Sequence, residues 1–177
     1  RIDTDILYDN VMNKFVWGGV DDPDVNLDYH HLRTLSVVRS RLVHARLAKA
    51  LASEGKNEKA AEVLERCLAL LPVENYPYDP YYTDLIEAFF MAGKPDIAEN
   101  MTKDLSQWYF DRLDYYLQQN NYVISSAEYE IQSAIQYTSR AADFCIANGK
   151  RELGEEINKK LEGYYADYLS RQQANMQ

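Results

Sequence analysis

The sequence predicts an all-α protein of stacked antiparallel helical hairpins, about three of them behind a helical lead-in. Three observations lead there. Apolar residues recur every three or four positions through most of the 177 residues, the spacing of one buried helix face. Breakers are few, with 7 Gly and 5 Pro. Three of those glycines share one setting: Gly55, Gly93 and Gly149 each follow an amphipathic run, precede a lysine and open onto another run. Glycine just past a helix end adopts the left-handed backbone conformation without a Cβ penalty, so each marks a turn between helices. Finally, Gly55 to Gly93 and Ala60 to Ala98 are both separated by 38 residues, which indicates an internal repeat.

In chain order, residues 1–28 form the lead-in. Thr4 is placed to cap a short helix over 4–14, with Leu7, Val11 and Phe15 on one side and Gly18 and Gly19 beyond it. The stretch 22–28, DPDVNLD, alternates oxygen-bearing side chains as a calcium loop does. Such a loop starting at Asp22 requires Gly at 27 and Glu at 33, where this chain has Leu27 and Arg33. An acidic loop without metal is expected. Asp28 then caps a long helix to about residue 54. Of its histidines, His30 and His31 point apart and His44 lies far along the helix, so all three read as surface residues. The charge pattern places the acidic lead-in against Arg33, Arg39, Arg41, Arg46 and Lys49 of that helix.

Residues 41–74 make the first hairpin. Leu47, Ala48 and Leu51 share a face, with Leu42 upstream. Past the Gly55 turn, Asn57 is placed to cap a second arm, which carries Ala60, Ala61, Leu64, Cys67, Leu68 and Leu71 on one stripe and stops at Pro72. This stretch resembles a tetratricopeptide repeat, a helix–turn–helix unit of about 34 residues. Ala48 and Ala60 occupy the small positions where its helices touch. Leu64 takes its large apolar position, Cys67 its second small one and Pro72 its closing proline. Two positions that are aromatic in the motif hold His44 and Leu51.

Asp79 and Pro80 read as the cap and first residue of the next helix, with Leu85, Ile86, Phe89 and Phe90 inside. Pro95 opens a fourth helix, buried through Ile97, Met101, Leu105, Trp108 or Tyr109, and Leu113. After the polar run 118–121, Ser125 and Glu128 have capping-box spacing for a fifth helix bearing Ile131, Ile135, Thr138, Ala142 and Cys145. The last helix carries Leu153, Ile157, Leu161, Tyr165 and Tyr168. The resulting organisation is a lead-in over 1–28, a tetratricopeptide-like helical domain over 29–172 and a polar tail over 173–177.

The formal charge of −9 makes nucleic acid a poor partner, since phosphate backbones call for clustered Lys and Arg. No apolar run approaches the length that spans a bilayer. Cys67 and Cys145 lie on apolar faces and read as small buried hydrophobes rather than disulfide or metal ligands. Asn100 to Thr102 matches the N-glycosylation pattern but falls inside a predicted helix. No catalytic residues, metal or cofactor are expected. The tyrosines cluster at 76–82, 109–116 and 164–168. They serve either as large amphipathic packing fillers or as a sugar or peptide platform.

If the hairpins stack as tetratricopeptide arrays do, the first helix of each lines a concave face. Lys49, Ser53, Thr83, Glu87, Phe90, Ser139 and Asp143 then point into one groove. One cation, two carboxylates and Phe90 as an apolar anchor would suit a peptide of mixed charge.

Taken whole, the chain resembles the C-terminal soluble region of a family of bacterial multi-spanning membrane proteins related to protein O-mannosyltransferases. The resemblance rests on residues 3–10 (DTDILYDN), Lys14, Phe15, Trp17, Gly18, Pro23, Leu27, Asp28 and Arg33. It continues through Leu47, Ala48, the Gly55–Lys56 turn, Val63, Leu64, Arg66, Cys67 and Pro72, and weakens after Gln118. It implies a fragment of a longer protein, a location at the periplasmic face of an inner membrane, and any sugar transfer confined to the membrane part. This chain would be a non-catalytic module for a protein or peptide, or alternatively an accessory domain for an acceptor or glycan.

Overall fold

The structure, a computed structural model, describes residues 2–22, 24–25, 28 and 37–175. It is helical, with no strand among the described residues. The elements are α1 (Thr4–Asp9), which runs into a turn of π-helix (Asn10–Lys14), then α2 (Val37–Ser53), α3 (Asn57–Leu70), α4 (Tyr82–Met91), α5 (Pro95–Leu117), α6 (Asn121–Ser126), α7 (Glu128–Ala147) and α8 (Arg151–Asn175). They fall into two compact units, Arg1–Ala98 and Glu99–Gln177, with the boundary inside α5.

In the first unit α2 packs on α3 and α4. Ala45, Leu47, Ala48 and Leu51 of α2 are buried, as are Ala60, Ala61, Val63, Leu64 and Cys67 of α3. The expected stripes are present, although Leu42 and Leu68 are only half-buried. The lead-in differs in its caps. Asp3, not Thr4, caps α1, its extended backbone presenting Oδ1 to the Ile6 amide at 3.0 Å. Thr4 is thereby left to bury its hydroxyl, which donates to Glu54 at 2.7 Å. The lysines that hold the acidic lead-in also lie elsewhere than expected: Asp5 meets Lys56 at 3.0 Å and Lys59 at 4.0 Å, at the start of α3. The expected cap at Asp28, and the placements of His30, His31 and Arg33, concern residues 29–36, which lie outside the described residues.

The three glycine turns share one geometry. Gly55, Gly93 and Gly149 have φ of 77°, 73° and 83°. The next amide, from Lys56, Lys94 or Lys150, returns to the carbonyl of Leu51, Phe89 or Cys145 at 2.9, 3.0 and 2.8 Å. This is the bond that closes a helix end in a Schellman motif. It also explains why Asn57 is not a cap. Lys56 both ends the turn and precedes the first helical residue, so Asn57 already lies within α3 and its neighbour makes no side-chain cap bond.

In the second unit, α5 from Glu99 onward lays Met101, Leu105, Tyr109 and Leu113 inward. The expected choice between Trp108 and Tyr109 falls to Tyr109, 6% exposed. The Ser125–Glu128 capping box does not form: Asn120 caps α6 through Val123 at 3.2 Å, and Ser125 is an exposed residue inside it. Helix α7 starts instead behind Ala127, which makes no side-chain cap bond, because Ser125 is taken up by the short helix α6 before it. On α8 the buried line is Gly154, Ile157, Leu161 and Tyr168. Tyr165 faces out at 50% exposure, and Tyr164 one step earlier is the half-buried residue of the two. Helix α8 continues to Asn175, past the expected start of the tail.

Candidate functional site

The groove residues expected from sequence are placed in three different circumstances. Lys49 of α2 reaches across to α4, where it pairs with Asp84 at 2.8 Å and with Glu87. All three are half-buried. Its charge is thus met inside the protein by two carboxylates. Ser53, one turn on, is exposed and donates to the Lys49 carbonyl at 2.8 Å. Thr83 and Phe90 are corrections to the expectation. Thr83 is fully buried, donating its hydroxyl to the Pro80 carbonyl at 2.9 Å, and Phe90 is 7% exposed. The reason is that α4, only 10 residues long, buries seven of them and keeps little more than Asp84, Glu87 and Met91 on its open side. A run so apolar reads equally well on two faces by periodicity alone. Ser139, half-buried, and Asp143, exposed, lie on α7 in the second unit.

A residue that sequence reasoning missed holds the first unit together. Arg41 is 1% exposed and its guanidinium makes four bonds. Nη1 donates to the Pro77 carbonyl at 3.0 Å and to Asp79 at 2.6 Å, and Nη2 to the carbonyls of Leu71 at 3.2 Å and Tyr76 at 2.7 Å. The cation also lies 5.3 Å from the Tyr82 ring centre. These acceptors are the chain between α3 and α4, a loop whose carbonyls have no helix to satisfy them. Burial pushes the Asp79 carboxyl up, and the guanidinium opposes that shift. The signal was available: Arg41 stands on the buried face of α2, four residues before Ala45 and seven before Ala48.

His44 is likewise not a surface histidine. It is fully buried, and Nδ1 donates to the Ser40 carbonyl at 2.7 Å, which fixes the proton on that nitrogen. Burial lowers its pKa, so it stays neutral, with its ring 5.3 Å from that of Trp17. Cys67 is buried and its thiol is pushed up to about 12 by burial, which leaves it unreactive.

The tyrosines divide by exposure. Tyr76, Tyr82, Tyr109 and Tyr168 are buried and pack. Tyr115, Tyr122, Tyr129 and Tyr165 are exposed, at 61, 81, 68 and 50%. All four sit where the end of α5, α6, the start of α7 and the end of α8 meet. Contacts define that end: the Tyr164 hydroxyl donates to Asp114 of α5 at 2.7 Å, and the Tyr168 hydroxyl to Glu128 of α7 at 3.4 Å. Exposed carboxylates stand close to the exposed tyrosines in the chain: Asp111 one helical turn before Tyr115, Asp114 next to it, and Glu130 next to Tyr129.

Compared with protein-family models, curated proteins and solved structures, the chain gives no match. No described helix is long and apolar enough to cross a membrane.

Proposed function

We propose that this chain is a non-catalytic module that docks a protein or peptide, built of tetratricopeptide-like hairpins and carried at the periplasmic face of a membrane by a glycosyltransferase-like protein. The observation that carries the docking reading is the group of exposed tyrosines at one end of the second unit. Tyrosine offers a large, stiff apolar area with a polar tip, the chemistry enriched in binding hot spots. The exposed carboxylates next to Tyr115 and Tyr129 in the chain favour a segment bearing lysine or arginine, through ion pairs and cation–π contact with the rings. The repeated glycine–lysine turns support the hairpin reading, and the residue pattern quoted above supports the parent.

A second reading, an accessory domain for an acceptor glycan, draws on the same rings, since sugars stack on aromatic faces. A labelled peptide library and a glycan array, each screened against the intact chain and against Tyr122→Ala with Tyr129→Ala, separate the two. The proposal expects basic peptides that bind the parent and not the variant. Glycan binding without peptide binding overturns it in favour of the second reading.

A further inference from the structure

A cavity of about 160 Å3 lies between α5 and α8 within the second unit. Phe110 and Ile157, both buried, supply its apolar lining. Lys103 and Lys160 line it as well, with Glu156 and Gln107. The Lys160 ammonium lies 4.1 Å from the Phe110 ring centre, and Lys103 pairs with Glu99 at 2.6 Å. Ser106 is the informative member. It lines the cavity, is 2% exposed, and its hydroxyl has no hydrogen-bond partner. Serine inside a helix commonly returns its hydroxyl to the carbonyl four residues back. A buried hydroxyl left unpaired carries a desolvation cost that an incoming acceptor removes.

We propose that this cavity binds a small organic carboxylate with an apolar body. Lys103, Lys150 and Lys160 against Glu99 and Glu156 leave one positive charge in excess, which matches a monoanion. The ligand's carboxylate lies between Lys103 and Lys160 and accepts from the Ser106 hydroxyl, while its body covers Phe110 and Ile157. Size sets the class, since a protein cavity of about 150 Å3 holds one benzene ring. Inorganic phosphate fits less well: it leaves the apolar lining uncovered and brings a second charge towards Glu156. This inference is independent of the docking surface formed by the exposed tyrosines.

The experiment titrates the whole chain with benzoate, inorganic phosphate and benzylamine, following backbone amide signals by NMR and the melting temperature. Benzoate should shift amides in 103–110 and 156–160 saturably and raise the melting temperature by mass action. Ser106→Ala and Lys160→Glu should each weaken benzoate roughly tenfold. Ser106→Ala should also melt no lower than the parent without ligand, since it removes an unpaired group. The proposal is overturned if benzoate gives no saturable shift at those residues. It fails equally if phosphate or benzylamine binds as tightly, or if benzoate binding is unchanged in both variants.

Discussion

Arg41 shows most clearly how one side chain sets the first unit. Its guanidinium answers three carbonyls and one carboxylate at the α3–α4 connection. Removing one partner of a buried ion pair strands the other, so Arg41→Met should cost about 3–5 kcal/mol in urea unfolding. Arg41→Lys should recover little, because one ammonium cannot reproduce a planar fork that serves four acceptors. At Glu99 the effect is one of pH. Lys103 and Lys150, each at 2.6 Å, hold its carboxyl at about 2, below the ordinary 4.5. A depressed carboxyl stabilises the fold above its unfolded pKa, and that contribution disappears as pH falls from 4.5 towards 2. Glu99→Gln should therefore lose less stability than the parent over that acid range, with the difference shrinking in high salt because the site is exposed. The place of Arg41 on the buried face was legible in the sequence, but its partners, like those of Glu99, were not. An arginine in an apolar stripe looks like the edge of a face, and the partners of Glu99 depend on where α7 ends.

At the scale of elements, much was readable. The three turns follow from glycine before lysine, since only a left-handed residue lets the following amide close the helix end. Helix existence and most buried stripes came from spacing. Caps were read less well, because Asp3 and Thr4 offer the same acceptor chemistry and the backbone decides between them, and because the short helix α6 takes up Ser125 before α7 starts. The approach of α7 to α8 was not readable at all. Gly154 is buried, and a Cβ there would stand 2.6 Å from the Ala142 carbonyl, so the helices must separate to admit it. Gly163, on the same helix, is exposed and would meet nothing within 4 Å. Two like changes should then have opposite signs. Gly154→Ala should destabilise by about 1–3 kcal/mol through overpacking, and Gly163→Ala should stabilise by about 1 kcal/mol through helix propensity. Chemical denaturation of both variants measures this, and matching signs would remove the close crossing from the account.

For the whole molecule, the question is which surface works, and charge substitutions at the expected groove separate the candidates. Sequence spacing placed Lys49 and Glu87 in one groove as contacts for a peptide. They are in fact partners across α2 and α4, with Asp84 beside them. Lys49→Glu would gather three carboxylates in a half-buried place, and Glu87→Lys would set two ammoniums against Asp84 alone. Each should lower stability by about 1 kcal/mol or more, and the cost should lessen in salt. The exposed tyrosines of α6 and α7 contribute little packing, so Tyr122→Ala and Tyr129→Ala should stay within about 0.5 kcal/mol of the parent. A basic peptide selected from the library then gives the deciding measurement. It should lose affinity for the tyrosine variants at full stability, and should lose none for Lys49→Glu at a temperature where that variant remains folded. The reverse pattern, with binding lost at Lys49 and kept without the tyrosines, would return the working surface to the α2–α4 face.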